Sequence, residues 1–311
     1  MNPIQRVTVI GAGNMGHGFA AHFALHGTPV TLYDHHESNL DSARGRIRSV
    51  LSFLDDRDLA PIDPDAALAN VTLQSDLERA VDATDFVLET VSEDLDVKRD
   101  VFRKIGDAAP EDAILGSNTS SLRVTDIAEG APSHADRIVG CHWWYPPYLL
   151  EPVEVVRGAE TSDETMATTV EFVEVVDRKP VVVERDVPGF VWNRIQSAVV
   201  RECLHLAAEG VASIEDIDSA IRDGYARRTS VVGPFETMDI AGLELFRTVT
   251  GELYPSLCDD DEPNVLFDDY LDRGRGGIAD GAGFHEYDDA PNAVTCRRDE
   301  RLAALRHLYE E

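Results

Sequence analysis

Apolar positions along the chain follow two periods, and one of them stops near residue 187. Up to that point, short apolar runs alternate with stretches in which apolar residues recur every three or four positions. The runs over 7–10, 30–34, 71–73, 86–91, 113–116, 138–140, 153–156 and 181–183 have the length and β-branched content of buried strands. Between them, Phe19, Ala20, Phe23 and Ala24 form the stripe of a helix that Gly27 ends, and Ile47, Val50, Leu51 and Leu54 mark one face of another over 39–54. A polar, proline-marked segment to Ala69 reads as a loop. Shorter helical patterns cover 75–83, 97–108, 126–128 and 162–176. This alternation predicts an α/β fold with a Rossmann-type doubly wound sheet. After Val187-Pro188-Gly189-Phe190 only helical patterns remain, over 191–209, 214–223, 235–250 and 299–310, which predicts an all-α C-terminal domain. The expected division is therefore 1–187 and 188–311.

The first strand-to-helix turn carries the first chemical signal. Gly11, Gly13 and Gly16 follow the strand at the spacing of a dinucleotide-binding turn, with Asn14 and Met15 inside it. Gly11 permits the tight turn, and Gly13 lets backbone N–H groups approach a pyrophosphate. Gly16 allows the helix, with its positive end facing the phosphates, to pack closely. Asp34 ends the next strand at the distance where a carboxylate meets a ribose diol. No arginine follows it directly, since His35 and His36 stand there, and the carboxylate would repel an extra phosphate. The cofactor expected is NAD, held by the domain at 1–187.

Charge alters the picture of the surface. The 311 residues hold 28 Lys and Arg against 58 Asp and Glu, a net charge of −30, which excludes a nucleic-acid partner bound through a general basic surface. Lysine occurs only at 98, 104 and 179. Acidic clusters such as Asp55-Asp56-Arg57-Asp58 and Asp259-Asp260-Asp261-Glu262 read as adaptation to high salt, where screening removes self-repulsion. No apolar run spans a membrane, and the N-terminus lacks a basic-then-apolar signal, so a cytoplasmic protein is expected. Cys141, Cys203, Cys258 and Cys296 have no metal or redox spacing and read as free thiols.

Two segments carry candidate reaction chemistry. Ser117-Asn118-Thr119-Ser120-Ser121 follows a buried strand, where open α/β sheets bind ligands, although a helix-capping loop would use the same residue types. His142 ends a later strand ahead of Trp143-Trp144-Tyr145-Pro146-Pro147-Tyr148, and Glu154 lies in the β-rich run that follows. A lone histidine there is commonly structural. A buried carboxylate beside it would fix one tautomer and favour the protonated ring, as dehydrogenation of a secondary alcohol by NAD requires. His22 and His26, four apart on a helix with no third ligand, read as solvated residues, and no metal is expected.

Taken in order, Gly-Ala-Gly-Asn-Met-Gly, Ser-Asn-Thr-Ser-Ser, the segment from His142 to Glu154, Pro-Gly-Phe-Val-Trp-Asn-Arg and Gly233-Pro234-Phe235-Glu236 resemble the 3-hydroxyacyl-CoA dehydrogenase family over nearly the whole length. Tyr-Pro-Pro-Tyr after the histidine, Gly-Pro-Phe-Glu-Thr-Met and the terminal Arg-Arg-Asp-Glu-Arg-Leu are similar to its short lambda-crystallin branch, which includes L-gulonate 3-dehydrogenase. The resemblance implies His142 as general base, Glu154 as its orienting partner, Ser120 as the hydroxyl bonding the reacting oxygen, and Asn193 as the residue completing the site. It also implies that Asn118 lines the nicotinamide side, that Glu93 and Lys98 contact cofactor, and that the helical domain forms a homodimer.

Three departures stand out. Tyr145 occupies the position of a family asparagine, the late motif Gly-x-Lys-Thr-Gly-x-Gly-Phe-Tyr is reduced to Gly-Ile-Ala-Asp-Gly-Ala-Gly-Phe-His at 277–285, and the segment matching the CoA-phosphate region, 45–68, keeps only Arg46, Arg48 and Arg57. Three readings follow. The first is an NAD-dependent 3-hydroxyacyl-CoA dehydrogenase of fatty acid metabolism. The alternative is a dehydrogenase of a free hydroxy acid, L-gulonate- or carnitine-like. The third is a non-catalytic NAD-binding protein, against which the intact Ser120, His142, Glu154 and Asn193 speak.

Overall fold

The structure, a computed structural model, describes residues 4–309, with side chains through Arg306. Eight strands form one sheet: β1 (Val7–Ile10), β2 (Val30–Tyr33), β3 (Val71–Gln74), β4 (Phe86–Glu89), β5 (Ile114–Ser117), β6 (Ile138–Trp143), β7 (Pro152–Val156) and β8 (Lys179–Val183). Their order is β3-β2-β1-β4-β5-β6-β7-β8. Winding starts at β1 and runs outward in both directions, so the chain reverses direction across the sheet between β1 and β4. The crevice at the carboxyl ends of those two strands is where such sheets take ligands. All neighbours pair in parallel except β6 and β7, whose antiparallel register sets His142 opposite Glu154.

Seven helices accompany the sheet: α1 (Gly16–Leu25), α2 (Glu37–Asp55), α3 (Pro64–Ala69), α4 (Leu77–Val81), α5 (Leu95–Ala108), α6 (Val124–Ala128) and α7 (Asp163–Val175). Alternation of side chains along the strands feeds two cores. Val7, Val9 and Leu88 join Phe19, Phe23 and Phe172, whereas Ile10, Val87 and Leu115 join Phe102 and Ile105. Burying each of these large side chains contributes about 1.5–3 kcal/mol, which is what holds the helices to the sheet.

Several elements differ from the sequence reading. The stretch expected as a loop to Ala69 contains α3, which starts because Asp63 accepts a hydrogen bond from Ala66 N at 2.9 Å and Pro64 suits the first helical position. His22 and His26 are not solvated. His22 is buried, with Nε2 on Val176 O at 2.8 Å and Arg178 Nη2 3.0 Å from Nδ1, and His26 Nδ1 bonds His22 O at 2.8 Å. Their ring nitrogens serve packing rather than a metal.

Beyond the sheet come α8 (Trp192–Ala208), α9 (Ile214–Ser219), α10 (Ala226–Thr229), α11 (Pro234–Ala241), α12 (Leu243–Leu253), α13 (Leu266–Leu271) and α14 (Pro291–Tyr309). The single helix expected over 235–250 is two, because Gly242 takes φ +96° between α11 and α12. The chain divides into two compact units. Residues up to Arg194 together with those from Arg298 onward form one, and Ile195–Arg297 form the other. The end of α14 is tied into the first unit: Ala303 is buried in its core, Tyr148 Oη donates to Asp299 at 3.1 Å, and Arg306 donates to Asp177 at 2.5 Å.

Candidate active site

The glycine turn is shaped by sterics. Gly11 has φ +108°, and a Cβ there would stand 2.7 Å from Thr90 O at the end of the neighbouring strand. A Cβ on Gly16 would meet Gly11 O at 1.8 Å, so α1 starts hard against the turn. A Cβ on Gly13 would meet nothing within 4 Å, which leaves an open backbone edge for a phosphate group. No side chain caps the start of α1, and none of its first-turn residues is acidic. Asn14 and Met15 complete the turn.

Gly11, Gly13 and Asp34 line one cavity of about 550 Å³, closed by Tyr33, Thr90 and Val97 among others. Asp34 is buried and positioned by its own neighbours: Oδ2 accepts from Ala12 N at 2.8 Å and Asn39 Nδ2 at 3.1 Å, and Oδ1 from His36 N at 2.8 Å. Burial opposes its ionisation, but the hydrogen bonds from Ala12, His36 and Asn39 outweigh it and hold the pKa below the ordinary value. A fixed carboxylate at the mouth of a glycine turn fits the ribose of a dinucleotide lacking a 2′-phosphate.

The second half of the site lies at the carboxyl ends of β5 and β6. His142 Nδ1 is 2.7 Å from Glu154 Oε2, and both side chains are buried. Oε1 of Glu154 accepts from Val191 N at 2.8 Å and Trp192 N at 3.0 Å. Burial raises the cost of charge on Glu154, yet the bonds from His142, Trp192 and Val191 prevail and its pKa is lowered. With an ionised carboxylate at Nδ1, the neutral ring carries its proton there and leaves Nε2 as a lone pair. Phe190 packs 5.9 Å from the imidazole and is held at φ +48°, after Gly189 at φ +76°. Two successive left-handed residues turn the chain so that the next two amides face Glu154. A buried phenylalanine in that region is strained, a cost typical of functional sites. The Pro-Gly-Phe motif is legible in the sequence, whereas this backbone geometry is not.

Asn118 Oδ1 accepts from Trp143 N at 2.9 Å, joining the ends of β5 and β6. Asn193 Nδ2 donates to Ser120 O at 2.7 Å, so the structure brings Ser120 and Asn193 together. Trp144, two residues after His142, and Trp192, just before Asn193, stack at 4.1 Å. Tyr145 is half exposed and lies under the Arg298 guanidinium at 4.8 Å. Glu93, which is exposed, and Lys98 are paired with each other. Lys98 is fully buried and reaches Glu89 Oε1 at 2.7 Å and Glu93 Oε2 at 3.3 Å, while Glu93 Oε1 gathers donors from Thr119, Ser120 and Ser121. Sequence spacing gave no signal for Glu89, the buried partner of Lys98. Among the described residues, one group with metal-ligand chemistry occurs, His205, Cys258 and Asp260 in the second unit, and the dyad chemistry does not use it.

Two family models cover this arrangement: the 3-hydroxyacyl-CoA dehydrogenase NAD-binding domain over residues 6–187, and the C-terminal domain of the same family over 189–287. The chain belongs to the 3-hydroxyacyl-CoA dehydrogenase family. It is an NAD-dependent dehydrogenase of that type. It is similar to the solved structure of 5-formyl-3-hydroxy-2-methylpyridine 4-carboxylic acid 5-dehydrogenase, an NAD+-dependent dismutase, with TM-score 0.92, 32% identity and 99% of each chain covered. It is 36% identical to an L-carnitine dehydrogenase of Streptomyces griseus over 78% of this chain and 71% of that one. A probable 3-hydroxybutyryl-CoA dehydrogenase of Deinococcus radiodurans is 33% identical over 90% of this chain and 99% of its own. Among the described residues, no helix of this dehydrogenase is long and apolar enough to cross a membrane.

Proposed function

We propose that this dehydrogenase oxidises the secondary alcohol of a small hydroxy acid presented as the free carboxylate, or reduces the matching keto acid. Gly11, Gly13, Asn14, Met15 and Gly16 would hold the pyrophosphate of NAD, Asp34 its adenosine ribose, and Asn118 the nicotinamide side; the cofactor would supply the hydride acceptor. His142 Nε2 takes the hydroxyl proton, and Glu154 keeps the ring in the receiving tautomer and stabilises the imidazolium that results. Ser120 hydrogen-bonds the reacting oxygen, and Asn193, bonded to Ser120 O, fixes that serine's loop. The domain at 1–187 carries cofactor and dyad, and 188–311 substrate contacts and dimerisation.

One observation favours the free acid over a CoA ester. In the segment matched to the CoA phosphates, Arg46 is used internally, donating to Ala12 O at 2.6 Å, and Arg57 lies on Phe53 at 3.9 Å and pairs with Glu300 at 3.4 Å. Two of the three cations in that segment are thus engaged within the protein, and only the exposed Arg48 is left to face a polyanionic handle. The acyl-CoA reading, with a place in fatty acid metabolism, is the second one, favoured by the family's description and the 3-hydroxybutyryl-CoA relative. NADH oxidation at high salt with acetoacetyl-CoA against a panel of free 3-keto acids separates them. A free acid with kcat/KM at least tenfold above the thioester is expected, roughly 1.4 kcal/mol of discrimination. The reverse order would overturn the assignment.

The helical unit acts as a homodimer. Among the described residues of Ile195–Arg297 only Cys258 is buried, while Val231 and Phe235 are each 78% exposed and Ile240 71%. A groove of about 630 Å³ between α8, α9 and α13 is lined by Val199, Leu204, Ile217, Tyr270 and Phe284. A unit with so little core of its own needs a second copy to cover these faces. Light scattering should give twice the chain mass at high salt, and a monomer would contradict this.

A further inference from the structure

The helical unit holds a second convergence of donor groups. Cys258 follows the short turn Tyr254–Ser256 at the end of α12, and Asp260 stands two residues on. This loop is drawn onto α8 at two points: Cys258 N donates to Glu202 Oε2 at 2.8 Å, and Arg201 Nη1 donates to Asp260 O at 3.1 Å. His205 lies one turn further along α8 and shares the face that Arg201 and Glu202 present. One ligand atom each from His205, Cys258 and Asp260 consequently comes within 4.8 Å of the other two. Cys258 is buried, His205 half-buried and Asp260 exposed. Among the described residues no hydrogen bond or ion pair engages any of these three side chains, so none has committed its donor atom elsewhere. The histidine and the cysteine come from different elements, which is why no motif spacing announces them.

The donor set selects the ion. Magnesium and calcium ask for oxygen ligands throughout, which a thiolate and an imidazole do not supply. Sulfur, nitrogen and one carboxylate oxygen suit a borderline-soft divalent ion, and zinc takes three such ligands with a water in the fourth place. A four-coordinate zinc with bonds of about 2.0–2.3 Å holds its ligand atoms about 3.3–3.8 Å apart, so the three need to close by only about 1 Å. One thiolate and one carboxylate also neutralise a divalent charge. The exposed side of Asp260 gives the ion a way in, and Asp259, Asp261 and Glu262 around it raise the local cation concentration.

We propose that His205, Cys258 and Asp260 form a zinc site that clips the loop after α12 to α8. Its role is stability of the helical unit. That unit has Cys258 as its only buried residue among those described, and a metal tie offsets so thin a core.

The test uses the full chain, stripped with chelator, kept reduced and held at molar salt, with zinc and cobalt chlorides as probes. Wild type should retain about one zinc per chain through gel filtration, with a Kd on the order of 1 μM or tighter against a chromophoric chelator. Millimolar magnesium should not displace it. Cys258→Ser and His205→Gln should each weaken zinc at least about 100-fold, more than loss of an outer-shell partner does. Cys296→Ser, which removes an exposed thiol in α14, should change nothing. Cobalt should give a thiolate charge-transfer band in wild type and Cys296→Ser but not in Cys258→Ser, and zinc should raise the melting temperature of wild type alone of the first pair. If Cys258→Ser does not fold, the wild-type cobalt spectrum and the exposed Asp260→Asn, expected to lose roughly tenfold in affinity, carry the test. A wild-type cobalt complex without the thiolate band, no zinc retained, zinc displaced by magnesium, or equal affinity in wild type and Cys258→Ser would overturn the site and leave only loose binding by surface carboxylates.

Discussion

His142 and Glu154 face each other across the antiparallel pair of strands in an otherwise parallel sheet, with Nδ1 and Oε2 2.7 Å apart. The reversal at β7 is what makes the contact possible, because antiparallel pairing sets the two side chains directly opposite on the same face. Removing only the charge tests its purpose. Glu154→Gln keeps the shape but offers an N–H to Nδ1, which favours the tautomer with its proton on Nε2. Turnover should drop on the order of 10²-fold or more, with NADH binding retained. Activity near wild type would mean that the carboxylate does not set the tautomer.

Asp34→Ala should raise the NADP-to-NAD ratio of kcat/KM by at least about tenfold, since the carboxylate that repels a 2′-phosphate is gone. The same change leaves Ala12 N and His36 N without their acceptor. A stability loss of about 1–3 kcal/mol accompanies the specificity change. An unchanged ratio in a folded variant would remove Asp34 from the ribose site.

The acid limb of stability follows from Glu93. Its pKa is 4.5 in a free chain and about 2 in the fold, so between those values the unfolded chain binds more protons. The stabilisation is complete above the unfolded value and drains away as pH falls through the folded one. In denaturant titrations at fixed salt, the deficit of Glu93→Gln relative to wild type should shrink as pH is lowered from about 4.5 toward 2. A deficit constant across that window would contradict the linkage.

Net charge sets the salt response. With 58 acidic against 28 basic residues, self-repulsion opposes the compact state until counterions screen it. Screening reaches only about 10 Å at 0.1 M salt and tightens to about 3 Å at 1 M. Melting temperature should therefore rise from dilute to multimolar salt. Equal values at both would dismiss salt adaptation.

Local patterns made part of this molecule legible. The glycine turn could be read because each glycine answers a demand within a few residues, and Asp34 because it sits one βαβ unit away. His142 and Glu154 could be paired only as a histidine and a carboxylate in nearby β-rich runs; the antiparallel register that joins them depends on how β7 enters the sheet. Glu89, the buried partner of Lys98, was out of reach, since it looks like an ordinary strand-end acid in a chain full of them. Phe190 at positive φ was equally hidden, because the strain arises from tertiary demands on the turn. In the helical part, periodicity ran smoothly through Gly242, and only the backbone reversal there divides α11 from α12.

The proton-acceptor role of His142 stands or falls on His142→Gln, assayed at high salt with the best free keto acid and NADH. In this variant kcat should fall by about 10²–10⁴-fold, the usual worth of a positioned acid or base, while NADH Kd stays within about threefold. A variant that turns over at the wild-type rate would contradict it, and the proton would have to move through some other group.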